Sequence, residues 1–127
     1  MIMNLPENFL FTDDHEWVDI NGDVATIGIT DYAQGELGDI VFIEFPDLNT
    51  EFQKGESIGT IEAVKTVADI YMPLSGKIVA LNDELNNDPS LVNNNPFDKG
   101  WMLKVQIMHK DEVSELMNTE KYNNFTS

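Results

Sequence analysis

The sequence predicts a mainly β protein, a small β-sandwich or barrel with one helix at its C-terminal end. Several segments alternate apolar and polar residues at period two, as strands with one buried face do. Turn residues separate these segments at short intervals, and a narrow apolar stripe at helical spacing follows residue 110. Many short strands and a single terminal helix together indicate this fold class.

The first elements are a hairpin and a short helix. The alternating segment 24–29 is expected to pair with a strand at residues 17–20, because Asn21-Gly22 is a strong hairpin dipeptide. Asp31 and the glutamine three residues later have the spacing of a capping box. Gly38 is suited to end the helix that they begin.

The later strands follow from the same alternation. They are expected at residues 40–45, 58–64, 70–72, 77–81 and 101–107. Within 58–64, even-numbered residues should lie on one face of the strand and odd-numbered residues on the other. Residues 46–56 and the asparagine-rich stretch 82–95 are expected to be loops, the second with one helical turn near Pro89.

The C-terminal helix is predicted over residues 111–121. Acidic Asp111 and Glu112 stand early in it and Lys121 late, which suits the helix dipole. Its apolar stripe is expected to pack against the sandwich, and residues 123–127 are expected to fray.

Length and charge limit the classes of partner. The 127 residues fit one domain, predicted to span residues 1–127. All seven basic residues are lysines, and the net charge of −16 opposes binding to phosphate backbones and anionic membranes. Nucleic acids and membranes are therefore not expected partners.

Residue usage excludes several kinds of site. The chain has no cysteine, so disulfides, thiolate metal sites and a cysteine nucleophile are ruled out. His15 and His109 stand far apart, and the acids near Asp14 lack the spacing of a calcium loop, so no metal site is expected. There is no signal-peptide pattern and no run of about 18 apolar residues. A soluble, cytoplasmic, bacterial protein is expected.

Lys65 is the residue that points to chemistry. It stands where one predicted strand ends and another begins, with apolar neighbours and with acids at Glu62 and Asp69. Two strands that meet at a lysine, with Pro73 and Gly76 closing the second, suggest a lysine displayed at a hairpin tip. A displayed lysine is suited to covalent attachment of a group.

This segment resembles the lipoyl-attachment segment of the glycine cleavage system H-protein family. Glu62-x-x-Lys65, followed by Asp69, Pro73 and Ser75-Gly76, matches the attachment hairpin of that family. Further motifs match along the chain: His15-Glu16-Trp17-Val18, residues 28–34, Leu37-Gly38-Asp39, Leu91-Val92-Asn93 and Gly100-Trp101-Met102. The resemblance covers residues 10–122, which implies a core over that range and flexible termini.

The resemblance implies the fold and the modified residue. The fold would be the barrel-sandwich hybrid of lipoyl and biotinyl carriers. Lys65 would carry lipoate as N6-lipoyllysine, with Glu62, Val64, Thr66 and Gly76 as the residues that define the hairpin for the modifying enzyme. Because the cofactor would supply the chemistry, the protein would be a non-catalytic carrier and not an enzyme.

The resemblance also implies a pathway and partners. The carrier would take an aminomethyl group from the pyridoxal-phosphate-dependent glycine decarboxylase, the P-protein, to the tetrahydrofolate-dependent aminomethyltransferase, the T-protein. Dihydrolipoyl dehydrogenase, the L-protein, would then reoxidise the dihydrolipoyl arm of this one-carbon and glycine-catabolic system. Lipoate-attaching enzymes would be further partners.

The family shelters its loaded swinging arm in a surface cleft, and three acids match cleft positions. Glu16 and Asp69 would line or border the cleft, where a carboxylate can pair with a cationic amine. Glu36 stands where the family often has histidine, so its contact with the arm departs from the family pattern. Tyr32 likewise replaces a frequent histidine and is interpreted as a tolerated variation.

Other interpretations remain open at this point. Biotinyl domains usually place methionine on both sides of the lysine, whereas Val64 and Thr66 stand here, and 2-oxoacid dehydrogenase lipoyl domains usually place aspartate before it. An H-like protein that relays or donates lipoyl groups in lipoate metabolism is the alternative function. An interaction module with an unmodified Lys65 is a third. No nucleophile, base and orienting group that would indicate a self-standing enzyme is evident.

Overall fold

Nine strands form two antiparallel sheets in the computed structural model, which describes residues 5–126. The strands are β1 (Leu10–Phe11), β2 (Glu16–Asn21), β3 (Val24–Ile29), β4 (Ile40–Glu44), β5 (Glu51–Phe52), β6 (Ser57–Ala63), β7 (Val67–Tyr71), β8 (Gly76–Leu81) and β9 (Leu103–Ile107). One sheet has the order β1-β2-β3-β9-β8-β5, and the other has the order β4-β6-β7. The predicted mainly β architecture is confirmed.

The helices are short and lie between or after the strands. They are α1 (Asp31–Leu37), α2 (Glu84–Asn87), α3 (Leu91–Asn94), a 3₁₀-helix (Lys110–Glu115) and α4 (Thr119–Thr126). Among residues 5–126, no helix is long and apolar enough to span a membrane.

The two sheets share one apolar core. Ile27 and Val105 from the six-stranded sheet belong to the same buried cluster as Ile43 and Ile61 from the three-stranded sheet. The expected strict alternation along β6 is wrong at one point, because Ile58 and Ile61 are both buried. A register shift between residues 57 and 59 re-aims the strand there, as a β-bulge does.

The first hairpin forms as predicted, with a small shift in the turn. Asn21 pairs with Val24, so Gly22 and Asp23 make the turn, and Gly22 has a φ of +65° that suits glycine. The helix cap differs from the capping box expected at Asp31. Thr30 caps α1 instead, because its side chain accepts a hydrogen bond from the backbone of Ala33.

The C-terminal prediction was wrong in its boundaries. Residues 110–115 form a 3₁₀-helix, and the α-helix runs from Thr119 to Thr126, through residues that were expected to fray. Tyr122 explains the difference, since its side chain is fully buried and its ring stacks on Phe11 at 4.6 Å. The expected flexibility of residues 1–4 and 127 concerns residues outside the described range.

The two predicted loops contain regular structure. The stretch 82–95 holds the one-turn helices α2 and α3, each anchored by a buried residue, Leu85 and Val92 respectively. Asn82 is buried and donates its amide hydrogens to the carbonyls of Lys99 and Trp101, so it ties this region to the approach to β9. Within 46–56, residues 51 and 52 pair with β8 as the edge strand β5.

A pair of glycine substitutions tests this packing. A Cβ on Gly28 would lie 2.6 Å from the buried Trp17 ring, so Gly28→Ala should lower the free energy of unfolding by about 1–3 kcal/mol. Gly35 in α1 has open space around it, so Gly35→Ala should raise stability by about 0.5–1 kcal/mol. Urea denaturation of both variants measures the difference. Equal stabilities would contradict the close contact of β3 with Trp17.

Candidate functional site

Lys65 lies at the tip of the hairpin formed by β6 and β7. The last ladder pair joins Glu62 to Val67, and the N–H of Ala63 donates to the carbonyl of Thr66 at 2.8 Å. Lys65 is exposed, and it takes part in no ion pair among residues 5–126. Its amine therefore faces solvent at the end of a short turn that two paired strands support.

The turn between α1 and β4 supports the tip from one side. The N–H of Val64 donates to the carbonyl of Asp39 at 3.0 Å. Gly38 lies against the lysine stem, since a Cβ there would stand 3.2 Å from Lys65 Cε. Gly38 also has a φ of +81°, a left-handed value that favours glycine. A glycine at this point leaves room for the lysine side chain.

The predicted hairpin residues fall into two groups. Glu62, Val64 and Thr66 are exposed around the tip, and Val64 is 74% exposed. Gly76 lies elsewhere, buried in β8 of the other sheet, where a Cβ would stand 2.6 Å from the carbonyl oxygen of Gln106. The structure thus brings three of the four residues to Lys65 and gives Gly76 a packing contact in the six-stranded sheet.

An exposed strip beside the tip was missed by sequence reasoning. Phe42, Glu62 and Val67 are direct neighbours across β4, β6 and β7, so their side chains share the outer face of the sheet. Phe42 and Val67 are about half exposed, at 50% and 59%. Strand alternation gave only part of the signal: Phe42, next to inward-facing Ile43, has to point outward, but Val41 is exposed as well because the register shifts between Ile40 and Phe42.

A cleft of about 350 Å³ lies beside the tip. Leu37, which directly precedes Gly38, lines it together with the cross-strand pair Ile61 and Ala68, so the cleft adjoins the base of the hairpin tip. The lining combines acidic, aromatic and apolar side chains: Asp14, His15, Glu16, Ile29, Tyr32, Ala33, Glu36, Leu37, Ile61, Ala68 and Asp69. All three acids predicted for a cleft, at positions 16, 36 and 69, therefore come together here.

Glu16 is the buried acid of the cleft, with 2% of its surface exposed. One carboxylate oxygen accepts a hydrogen bond from the hydroxyl of Thr12 at 3.0 Å, and the other accepts from the N–H of Tyr71 at 3.0 Å. Burial raises the pKa of Glu16 to about 8, although these two hydrogen bonds favour the charged form. The carboxyl group also lines a second cavity of about 420 Å³.

The other two acids are exposed at the cleft border. Glu36 lies on α1, and Asp69 lies on the edge strand β7. The Tyr71 hydroxyl donates to an Asp69 carboxylate oxygen at 3.3 Å. Exposed Asp14 also lines the cleft, which thus has one buried acid and three acids open to water.

His15 and Tyr32 form the aromatic side of the cleft. Their rings lie 4.6 Å apart, and His15 Nδ1 is 2.8 Å from the hydroxyl of Tyr122. The same hydroxyl is 2.7 Å from Thr30 Oγ1, and Thr30 caps α1. Partial burial lowers the pKa of His15 despite the nearby Asp14. His15 thus has a structural contact with α4 and also lines the cleft.

The arrangement suits a particular kind of chemical group. Apolar side chains can contact an extended aliphatic chain, and carboxylates beside them can pair with a cation at its end. Among residues 5–126, no group of three or more His, Cys, Asp or Glu side chains is placed to hold a metal ion. The site therefore offers an exposed primary amine and, beside it, a partly acidic cleft.

Titration of Glu16 gives a testable result. Between pH 4.5 and about 8 the folded state binds the Glu16 proton more tightly than the unfolded chain does. The free energy of unfolding should therefore fall as pH rises through this window, by at most about 1.4 kcal/mol per pH unit. Glu16→Gln should flatten the dependence, because its amide keeps hydrogen-bonding groups but does not titrate. Urea denaturation from pH 5 to 8 compares the two proteins, and parallel profiles would contradict the assignment.

Known proteins resemble this chain over most of its length. A family model described as glycine cleavage H-protein matches residues 9–127. The glycine cleavage system H protein of Halothermothrix orenii is 46% identical over 120 residues, covering 94% of each chain. The protein of that name from Staphylococcus epidermidis is 48% identical over 120 residues, covering 94% of this chain and 95% of its own.

A solved structure agrees with the fold. The crystal structure of a glycine cleavage system H protein from Mycobacterium marinum matches with a TM-score of 0.88 at 36% identity, covering 96% of this chain and 98% of that one. This match confirms the barrel-sandwich fold class expected from the sequence. Because the family model spans nearly the whole chain and the relatives exceed 45% identity, the chain belongs to the glycine cleavage H-protein family.

Proposed function

We propose that this protein carries a lipoyl group on Lys65 and serves as the mobile carrier of a glycine cleavage system. The observation that carries the proposal is the exposed Lys65 amine at the tip of the hairpin, in a chain that belongs to the glycine cleavage H-protein family. As a member of that family, the chain is a carrier subunit and not a catalyst.

Attachment of the group requires a reachable nucleophile. The Lys65 amine attacks the acyl carbon of an activated lipoate, an amide bond forms, the amine loses a proton, and the activating group departs. A lipoate-attaching enzyme has to approach the tip, where Glu62, Val64 and Thr66 are exposed. The apolar strip of Phe42 and Val67 extends this surface beside the lysine.

The attached group supplies the redox and transfer chemistry, because its dithiolane opens reductively, holds a carbon group through sulfur and closes again on oxidation. The P-protein delivers the aminomethyl group, the T-protein removes it, and the L-protein reoxidises the arm. A tethered arm raises the local concentration of the reacting group once the carrier docks. The hairpin holds the tether clear of the protein body.

The cleft beside Lys65 fits the arm and its amine. Leu37, Ile61 and Ala68 offer apolar contact for the chain, and the exposed acids Glu36 and Asp69 offer carboxylates for a cationic end. Glu16, whose pKa burial raises to about 8, is mostly protonated at neutral pH. Exposed Glu36 takes the place at the border where the family often has histidine, and Glu16 lies deepest. Shelter in this cleft would protect the loaded arm from water.

The expected partners and cellular location of the protein follow from its net charge and its relatives. A net charge of −16 disfavours nucleic-acid and anionic-membrane partners and favours docking to basic patches on enzymes. The relatives from Halothermothrix orenii and Staphylococcus epidermidis are bacterial. We place the protein in the bacterial cytoplasm.

Lys65→Arg tests the proposal without changing charge. Arginine keeps the cation, but its guanidinium is not a substrate for acylation. The variant should fold as the wild type does, because Lys65 is exposed. After treatment with lipoate and a lipoyl-attaching enzyme, it should support no glycine–carbon dioxide exchange with the P-protein and no glycine-dependent NADH formation with the P-, T- and L-proteins.

The matched control is Lys121→Arg, an exposed lysine on α4. It should keep wild-type rates in both assays. Undiminished activity of Lys65→Arg would overturn Lys65 as the attachment residue. A lipoylated wild-type protein that supports neither reaction would overturn the glycine cleavage role and favour the lipoyl-relay alternative.

A further inference from the structure

Asn93 lies outside the tip and the cleft lining, yet its side chain makes three hydrogen bonds to the elements beside them. Its Oδ1 accepts from the N–H of Ile40 at 3.0 Å, and its Nδ2 donates to the carbonyl of Gly38 and to the side-chain oxygen of Gln34, both at 2.9 Å. Both amide hydrogens and the amide oxygen are therefore used. This pattern needs a donor and an acceptor on one short side chain, which asparagine provides.

The turn that Asn93 holds is also the support of the hairpin tip. Between Gly38 and Ile40 stands Asp39, whose carbonyl accepts the N–H of Val64 at 3.0 Å. Gly38 faces the stem of Lys65. A continuous set of contacts thus leads from the Asn93 amide through residues 38–40 to both the backbone and the side chain of the tip.

The tip has little else to hold it. Val64, Lys65 and Thr66 are all exposed, so burial contributes little to their order. In residues 5–126, the Val64 N–H makes the one backbone hydrogen bond from these three residues to a partner outside the hairpin. The geometry of the α1–β4 turn therefore decides how the tip is presented.

Helix α3 is suited to this role because it is fixed independently. Val92 is fully buried in the apolar core, and it anchors the helix one residue before Asn93. The Asn93 side chain therefore connects the core-anchored helix α3 to the turn of residues 38–40. Its contacts lie far apart in sequence, since Ile40 and Asn93 are separated by 53 positions.

We propose that Asn93 is a positioning residue for Lys65, and that its amide fixes the turn of residues 38–40 so that the lysine is presented to the lipoate-attaching enzyme in one orientation. The proposal rests on the proposed function, since it concerns the efficiency with which Lys65 is acylated. Loss of the Asn93 hydrogen bonds should leave Lys65 exposed but less well ordered. Its acylation should then be slower, because poorly oriented reactants react more slowly.

Asn93→Asp is the sharpest variant. It is nearly isosteric and keeps an acceptor for the Ile40 N–H, but it replaces the donor with an oxygen facing the Gly38 carbonyl and the Gln34 side-chain oxygen. Asn94→Asp is the matched control, because it makes the same charge change one residue later at an exposed position.

The measurement is the steady-state rate of lipoylation of the full chain by a lipoate-attaching enzyme with lipoate and ATP. We expect kcat/KM for Asn93→Asp to fall about tenfold, and Asn94→Asp to stay within about twofold of wild type. Amide hydrogen exchange at Val64 should be faster in Asn93→Asp alone. Should Asn93→Asp fail to fold, Asn93→Ala removes the same bonds without adding charge and should slow lipoylation in the same direction.

A third variant separates positioning from general stability. Val105→Ala creates a cavity in the core away from the tip, so it should destabilise the fold without slowing lipoylation at a temperature where all variants are folded. Wild-type lipoylation rates in folded Asn93 variants, or equal slowing by Val105→Ala, would overturn the positioning role alone. A wild-type protein that accepts no lipoyl group would overturn the proposed function and this inference with it.

Discussion

The apolar core shared by the two sheets is the constraint on which the site depends. The reactive lysine lies on residues 64–66, which bury almost nothing and cannot order themselves. Ile61 on β6 and Ile70 on β7 are buried in the core just below the tip, so the hairpin is fixed at its base. A long, solvated attachment point is thus combined with a rigid support, as a carrier visiting several active sites requires.

Polar contacts between elements then set the shape around the lysine. Glu16 of the six-stranded sheet accepts the N–H of Tyr71 at the end of β7, so a buried carboxyl group joins the two sheets at the floor of the cleft. The Tyr122 hydroxyl lies between His15 and the Thr30 cap of α1. Helix α4 thereby fixes the aromatic wall of the cleft, which explains why a helix so close to the C-terminus is ordered.

The sequence predicted most strands because a half-buried strand leaves a two-residue period. It did not predict β1 and β5, since two residues are too short to show a period. It predicted one helical turn near Pro89, where α3 begins two residues later. It missed α2 and the extent of α4, because each depends on a single buried anchor, Leu85 and Tyr122 respectively. Lys65 was identifiable from its flanking strands and the family resemblance. The hydrogen bonds that support the tip join residues distant in sequence, so they leave no local pattern.

The identity of the modified lysine is the central question, and intact-mass measurement followed by peptide mapping after lipoylation is the decisive measurement. Within residues 5–126, Lys65 is the exposed lysine at the tip of the β6–β7 hairpin, whose residues Ile61, Ala68 and Asp69 line the acidic and apolar cleft. One lipoyl group on Lys65, with the other lysines unmodified, is the predicted result. An unmodified Lys65, a lipoyl group on another lysine, or biotin in place of lipoate would contradict the account.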